Sequence, residues 1–382
     1  MRLLCGLLVV VSLEASAMWS DWVVVVRHNE WTDAFPEGSG QWEPWISDGS
    51  ESPMFRGHGD TWVRIVSTYD TTSFATYNNG QLFSYLPAFT RTTAGDHWFA
   101  YTPVYNPNTG TWLAIKGSTS AGARVLRSTD GGVQFAETAT PGGAAATDAL
   151  VVGNRIIAAG NAGLYTSTDD GLSWTNMPYG GLDPSYWGGP GALGAFGNVV
   201  VGSNLWAAAP GYWRSADGGA TWDFMSPTET PNLNSSCVMV SDTGIMVAVN
   251  TGTGFEDTVL RSDDLGLTWQ LINVPNTPDV GGMWGNTHGA FVQGKFYIPL
   301  VETGPGKLLV SDDGLSWGTE DLPEVLVGGS PYAWANYYYL TATDDTMAIA
   351  TDAFIMMRWY EADPPDDIFW QDKVRTIERI IP

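Results

Sequence analysis

Basic residues are scarce in this chain. Seventeen lysines and arginines, only four of them lysines, stand against 41 acidic residues, for a formal net charge of −24. Such a field repels phosphate backbones, so direct nucleic-acid binding is excluded as an expected activity. Cysteine is scarcer still, with Cys5 and Cys237 alone. Two cysteines build no disulfide framework. With four histidines and no C-x-x-C or His/Cys cluster, no metal site is expected either. Glycine-rich phosphate loops and nucleophile elbows are also missing, so no cofactor is expected. Long apolar runs are confined to Leu3–Leu13, behind Met1-Arg2. That run is shorter than the ~20 residues a membrane span needs. Followed by Ala15-Ser16-Ala17, it has the pattern of a secretory signal peptide over residues 1–17. Glu14 speaks against cleavage, and the alternative is a retained strand, paired with Trp22 to Val26 or placed at an interface.

What the chain has is a repeat. Ser128 to Phe135 reads STDGGVQF, Ser167 to Trp174 STDDGLSW, Ser215 to Trp222 SADGGATW, Ser262 to Trp269 SDDLGLTW and Ser311 to Trp317 SDDGLSW. The starts fall 39, 48, 47 and 49 residues apart, the length of a four-stranded propeller blade. Each copy follows a short apolar run, as a strand entering a hairpin does. Asp130, Asp169, Asp217, Asp264 and Asp313 are expected to accept hydrogen bonds from the turn, with Ser128, Ser167, Ser215, Ser262 and Ser311 opening it. Gly132, Gly171, Gly219, Gly266 and Gly314 supply backbone angles that a Cβ penalises. Phe135, Trp174, Trp222, Trp269 and Trp317 then pin each turn with a large apolar body. The carboxylates are therefore read as structural, neither catalytic nor calcium-binding.

The motif S-x-D-x-G-x-[ST]-W closely resembles the Asp-box, or BNR repeat, of sialidase-like β-propellers, over roughly residues 120–320. The resemblance implies an all-β propeller with the boxes at its periphery. It says little about activity, because one fold hosts many. Two further segments, 60–90 and 333–360, share the strand-and-turn rhythm without a box, which makes seven blades, with six and an N-terminal strand as the rival count. The expected organisation is an apolar, Trp-rich extension over 1–58, the propeller over 59–360, and an acidic hinge with an amphipathic tail over 361–382. In the tail Trp370, Val374, Ile377 and Ile381 fall on one helical face, suited to packing on the propeller or to docking a partner.

Sialidase-like enzymes hold their substrate carboxylate with three arginines at the propeller axis and use a tyrosine nucleophile. Phe55-Arg56-Gly57-His58 keeps only the first two residues of the family's Phe-Arg-Ile-Pro-like motif. Arg127, Arg214 and Arg261 each precede a box serine, so the ring spreads them apart. Asp96-His97 lacks a nucleophile and reads as an ordinary turn. The expectation is thus a non-enzymatic interaction protein with no catalytic residues, most plausibly a virion component of a tailed phage (tail, nozzle or head-associated) docking other virion proteins or further copies of itself. The alternatives are a secreted or surface carbohydrate-binding propeller, which the 19 tryptophans would suit as stacking platforms, and a sialidase-like glycosidase.

Overall fold

The computed structural model describes residues 19–27, 55–59, 61–67, 71–78, 81–85, 89–90, 101–116, 124–132, 135–138, 146–160, 163–177, 190–204, 211–225, 235–250, 258–274, 288–300, 306–327, 330–331, 339–351 and 354–360. The described residues contain strands, turns and bends but no helix. Residues 1–17, the pair Asp96-His97 and the tail with Trp370, Val374, Ile377 and Ile381 lie outside them.

Six four-stranded antiparallel sheets form the blades of a β-propeller. In chain order their innermost strands are Tyr101–Asn106, Ala146–Val152, Pro190–Phe196, Ser235–Val240, Ala290–Val292 and Tyr339–Ala342. A five-stranded sheet, opened by Phe55–His58, precedes the first blade, and Leu326–Val327 pairs with Ser330–Pro331 in a small hairpin. Each apolar cluster lies between consecutive sheets rather than inside one. Leu113, Ile115 and Val125 of the first blade meet Ala149, Ile156 and Tyr165 of the second. Val201 and Tyr212 of the third meet Val238 and Leu260 of the fourth, whose Val247 and Val259 meet Phe296 and Ile298 of the fifth. A sheet covered on both faces must be apolar on both. Accordingly the third strands Gly163–Ser167 and Thr258–Ser262 are buried at every position, while the fourth strands, such as Thr175–Met177, face outward.

The box turns join blades as well as shape them. In every copy the serine hydroxyl donates to the box aspartate, at 2.7–3.2 Å, and accepts the N–H of the box glycine at 2.8–2.9 Å. Trp174, Trp222 and Trp317 donate Nε1 to the box glycine's carbonyl at 3.2 Å, whereas Trp269 packs edge-on to Tyr212. Each glycine from the second box on faces the second strand of the preceding blade. A Cβ on Gly171, Gly219, Gly266 or Gly314 would meet Leu113, Ile157, Val201 or Val247 at 2.4–2.8 Å. The arginines before the boxes complete the link: Arg127, Arg214 and Arg261 donate Nε to the carbonyls of Asp170, Leu265 and Asp313 in the next turn, at 2.8–3.0 Å.

Sheet pairing also reaches into the segment read from sequence as an extension over 1–58. Phe55–His58 pairs with Thr61–Ser67, and Val23–Arg27 is the outer strand of the sixth blade, antiparallel to Phe354–Trp359. The N-terminal part of the chain thus completes a sheet whose other strands come from its C-terminal part. Ser20 N donates to Trp359 O at 2.7 Å and Trp359 N to Ser20 Oγ at 3.0 Å. Beside that seam the Arg358 guanidinium, 4% exposed as a residue, pairs with Glu320 and lies 4.6 Å from the Trp22 ring, 4.9 Å from Trp19 and 5.4 Å from Tyr297.

Candidate functional site at the propeller axis

The strands that open the sheets converge, and their polar side chains meet in a cavity of about 280 Å³. Arg56 enters from the five-stranded sheet, Asp148 from the second blade, Cys237 from the fourth, His288 from just before the fifth, and Tyr339 from the sixth. Arg56 turns three of its five N–H donors to the protein, and its side chain stays 26% exposed. Nε reaches Tyr339 OH at 3.1 Å, Nη1 reaches Ala149 O at 2.6 Å, and Nη2 pairs with Asp148 Oδ1. Asp148 is equally committed: Oδ1 accepts Ala149 N and Oδ2 accepts Leu193 N, each at 2.8 Å. One charged pair therefore ties the five-stranded sheet, the second blade and the third blade together across the axis.

The remaining groups are held neutral. Burial lowers the His288 pKa to about 4, and its ring lies 4.4 Å from that of Tyr339. The Cys237 thiol is pushed up to about 12, again by burial. Its sulfur accepts Gly289 N at 3.2 Å and donates to Gly289 O at 3.4 Å. Burial also raises the Tyr339 pKa, with the Arg56 charge opposing it. Burial opposes the Arg56 charge, but Tyr339 and Asp148 outweigh it and raise the guanidinium pKa. Near neutral pH the cavity thus holds one internal ion pair, a neutral imidazole, a thiol and a phenol. Such a lining can donate and accept hydrogen bonds. Among the described residues no group of three or more His, Cys, Asp or Glu side chains could hold a metal ion.

Of the described residues singled out from sequence, Arg56 and its neighbour Gly57 line this cavity, as does Cys237, one of the two cysteines. Arg127, Arg214 and Arg261 bridge blades at the box turns instead, and Arg127 also pairs with Asp170 at 2.6 Å. Asp148, Cys237, His288 and Tyr339 carried no motif. Their one shared mark is a polar residue in, or just before, the strand that opens a repeat.

No protein-family model matches the chain, and no curated protein sequence matches it significantly. Solved structures do. An ancestral GH74 enzyme matches with a TM-score of 0.50 at 15% identity, over 81% of this chain and 47% of that one. YCF48 bound to a D1 peptide matches with a TM-score of 0.49 at 16% identity, over 84% and 96%. YCF48 from Cyanidioschyzon merolae matches at 0.40 and 12% identity, over 68% and 95%. At such identities the likeness concerns the β-propeller fold alone.

Proposed function

We propose that this protein is a non-enzymatic Asp-box propeller that docks other proteins. The five-stranded sheet serves as a seventh blade, its innermost strand standing between Tyr339–Ala342 and Tyr101–Asn106. The assembly in view is a virion of a tailed phage, a reading that rests on the strong acidity of the chain and its four lysines. The observation that carries the non-enzymatic reading is the internal pairing of the axial arginine: Asp148, Ala149 O and Tyr339 take three of its five N–H donors, one on each nitrogen that a sialidase-like site would turn to a substrate carboxylate. A second observation bears on the glycan alternative. Ten of the 19 tryptophans lie in the described residues, and all ten are buried or half-buried, which supports packing over a stacking platform for sugars.

Two assays on the purified protein test this together, turnover of a fluorogenic sialoside and a glycan-array screen. The expected result is silence in both. Turnover that disappears in Arg56→Ala would establish the glycosidase, and a glycan signal abolished by replacing a tryptophan would establish the lectin.

A further inference from the structure

The fifth blade meets both of its neighbours at two consecutive residues on the axis. His288 and Gly289 stand just before its innermost strand, Ala290–Val292. On one side Gly289 N donates to Cys237 Sγ at 3.2 Å and the Cys237 thiol donates to Gly289 O at 3.4 Å, which ties the pair to the fourth blade. On the other, His288 O accepts Leu340 N at 3.0 Å, and a parallel bridge joins His288 to Tyr339 of the sixth blade. The joint is tight: a Cβ on Gly289 would lie 2.5 Å from Tyr297 O and 2.7 Å from Met239 Sδ. Three blades are thus fastened at one place, and that place carries an imidazole.

His288 lines the axial cavity, where the charged and titratable groups around it come from four elements. They are Arg56 of the five-stranded sheet, Asp148 of the second blade, Cys237 of the fourth and Tyr339 of the sixth. Asp148 is the one carboxylate among them, and its oxygens already accept Arg56 Nη2, Ala149 N and Leu193 N. A proton on His288 would therefore add a second positive charge beside a carboxylate that the first has already neutralised. Burial opposes that charge most, Asp148 favours it and Arg56 opposes it, which leaves the folded pKa at about 4. Once the joint parts, the ring meets water and regains its ordinary pKa of ~6.5. Acid thus favours the parted joint. The rim answers acid later, because Asp217 is brought down to about 2 and Asp169, Asp264 and Asp313 are also held below the ordinary carboxylate range.

We infer that protonation of His288 opens the propeller at its axis, parting the fifth blade from Cys237 and from Tyr339–Ala342 while the box turns at the rim stay closed. The hub is a pH-responsive joint within the propeller itself, and this holds whatever the protein docks. The sign follows from linkage. The closed hub keeps His288 neutral and the open hub takes up a proton below pH ~6.5, so the open population rises by up to ~10-fold per pH unit from there to about pH 4 and then levels off.

Cys237 reports the opening. In the full chain carrying Cys5→Ser it is the sole thiol, and its reaction with a dithiodipyridine reagent is followed from neutral pH to about pH 4. Rates are taken relative to the same chain unfolded in guanidinium at each pH, which cancels the titration of the thiol. The relative rate should rise at least ~10-fold between about pH 6.5 and about pH 4.5. Over the same range the amides of Gly171, Gly219 and Gly266, which donate to the box serines, should keep their protection from hydrogen exchange. His288→Gln and, as a second variant, His288→Asn keep the backbone bond to Leu340 but carry no titrating ring, so their relative rates should stay flat. A flat profile in the parent, an equal rise in both variants, or loss of box protection in step with Cys237 labelling would overturn the inference.

Discussion

Gly219 shows how narrowly single positions are set. Its backbone sits at φ +81°, and a Cβ there would lie 2.4 Å from Ile157 of the preceding blade. Gly219→Ala combines backbone strain with overpacking and should cost about 2–4 kcal/mol in urea unfolding. Gly153, at φ +57° with nothing within 4 Å of its Cβ position, isolates the strain alone, and Gly153→Ala should cost about 1 kcal/mol. His288 makes the corresponding case for charge. Its folded pKa of about 4 is below the unfolded value of ~6.5, so the unfolded chain takes up the proton first. Stability from this residue is fully present above pH ~6.5, falls between there and about pH 4, and falls no further below that. Asp148 raises the His288 pKa and Arg56 lowers it, so the test keeps both: His288→Gln should flatten the pH dependence of unfolding over this window. The box carboxylates add a separate slope at lower pH. Burial works to raise the Asp217 pKa, but the Thr221 hydroxyl and N–H with Ser215 and Ala220 bring it down to about 2. Its contribution is present above the ordinary carboxylate range and lost as pH falls toward 2.

At the scale of elements, the closing strand is the one to perturb. Val23–Arg27 has one described neighbour, Phe354–Trp359, and the aromatic shell around Arg358 fixes it there. Trp19 donates Nε1 to Tyr297 OH at 3.1 Å and meets Tyr360 edge-on, so Trp19→Ala should destabilise by about 2 kcal/mol and speed exchange of the Val23–Arg27 amides ahead of the other blades. Glu320→Gln, which leaves the buried Arg358 without its carboxylate, should cost about 3 kcal/mol. Unchanged exchange in both variants would mean that the strand is held by its backbone bonds alone. The contrast between this strand and the boxes explains what could be read in advance. A box is local: serine, aspartate and glycine bond to one another within four residues, so the pattern is written contiguously and repeated. The role of Val23–Arg27 depends on a partner more than 300 residues away, and four valines followed by arginine read equally well as the end of an extension. The axial site is non-local in the same sense. Arg56 was visible through Phe55-Arg56, but Asp148 is separated from it by 92 residues, and nothing near Asp148 marks it as a partner.

For the whole molecule, the ring places its polar investment at the centre and its repeated locks at the rim. If Arg56 and Asp148 hold sheets together rather than process a substrate, Asp148→Ala should cost about 2–4 kcal/mol by leaving the guanidinium unpaired, and Arg56→Met with Asp148→Leu should recover most of that loss. A double variant no better than Asp148→Ala would show that the pair does more than neutralise itself. Docking is a claim about company, and the mass of the native complex tests it most directly. Native mass spectrometry of the protein isolated from its own source should give a fixed stoichiometry with partner chains in a larger particle. A free, uncomplexed chain would contradict the account.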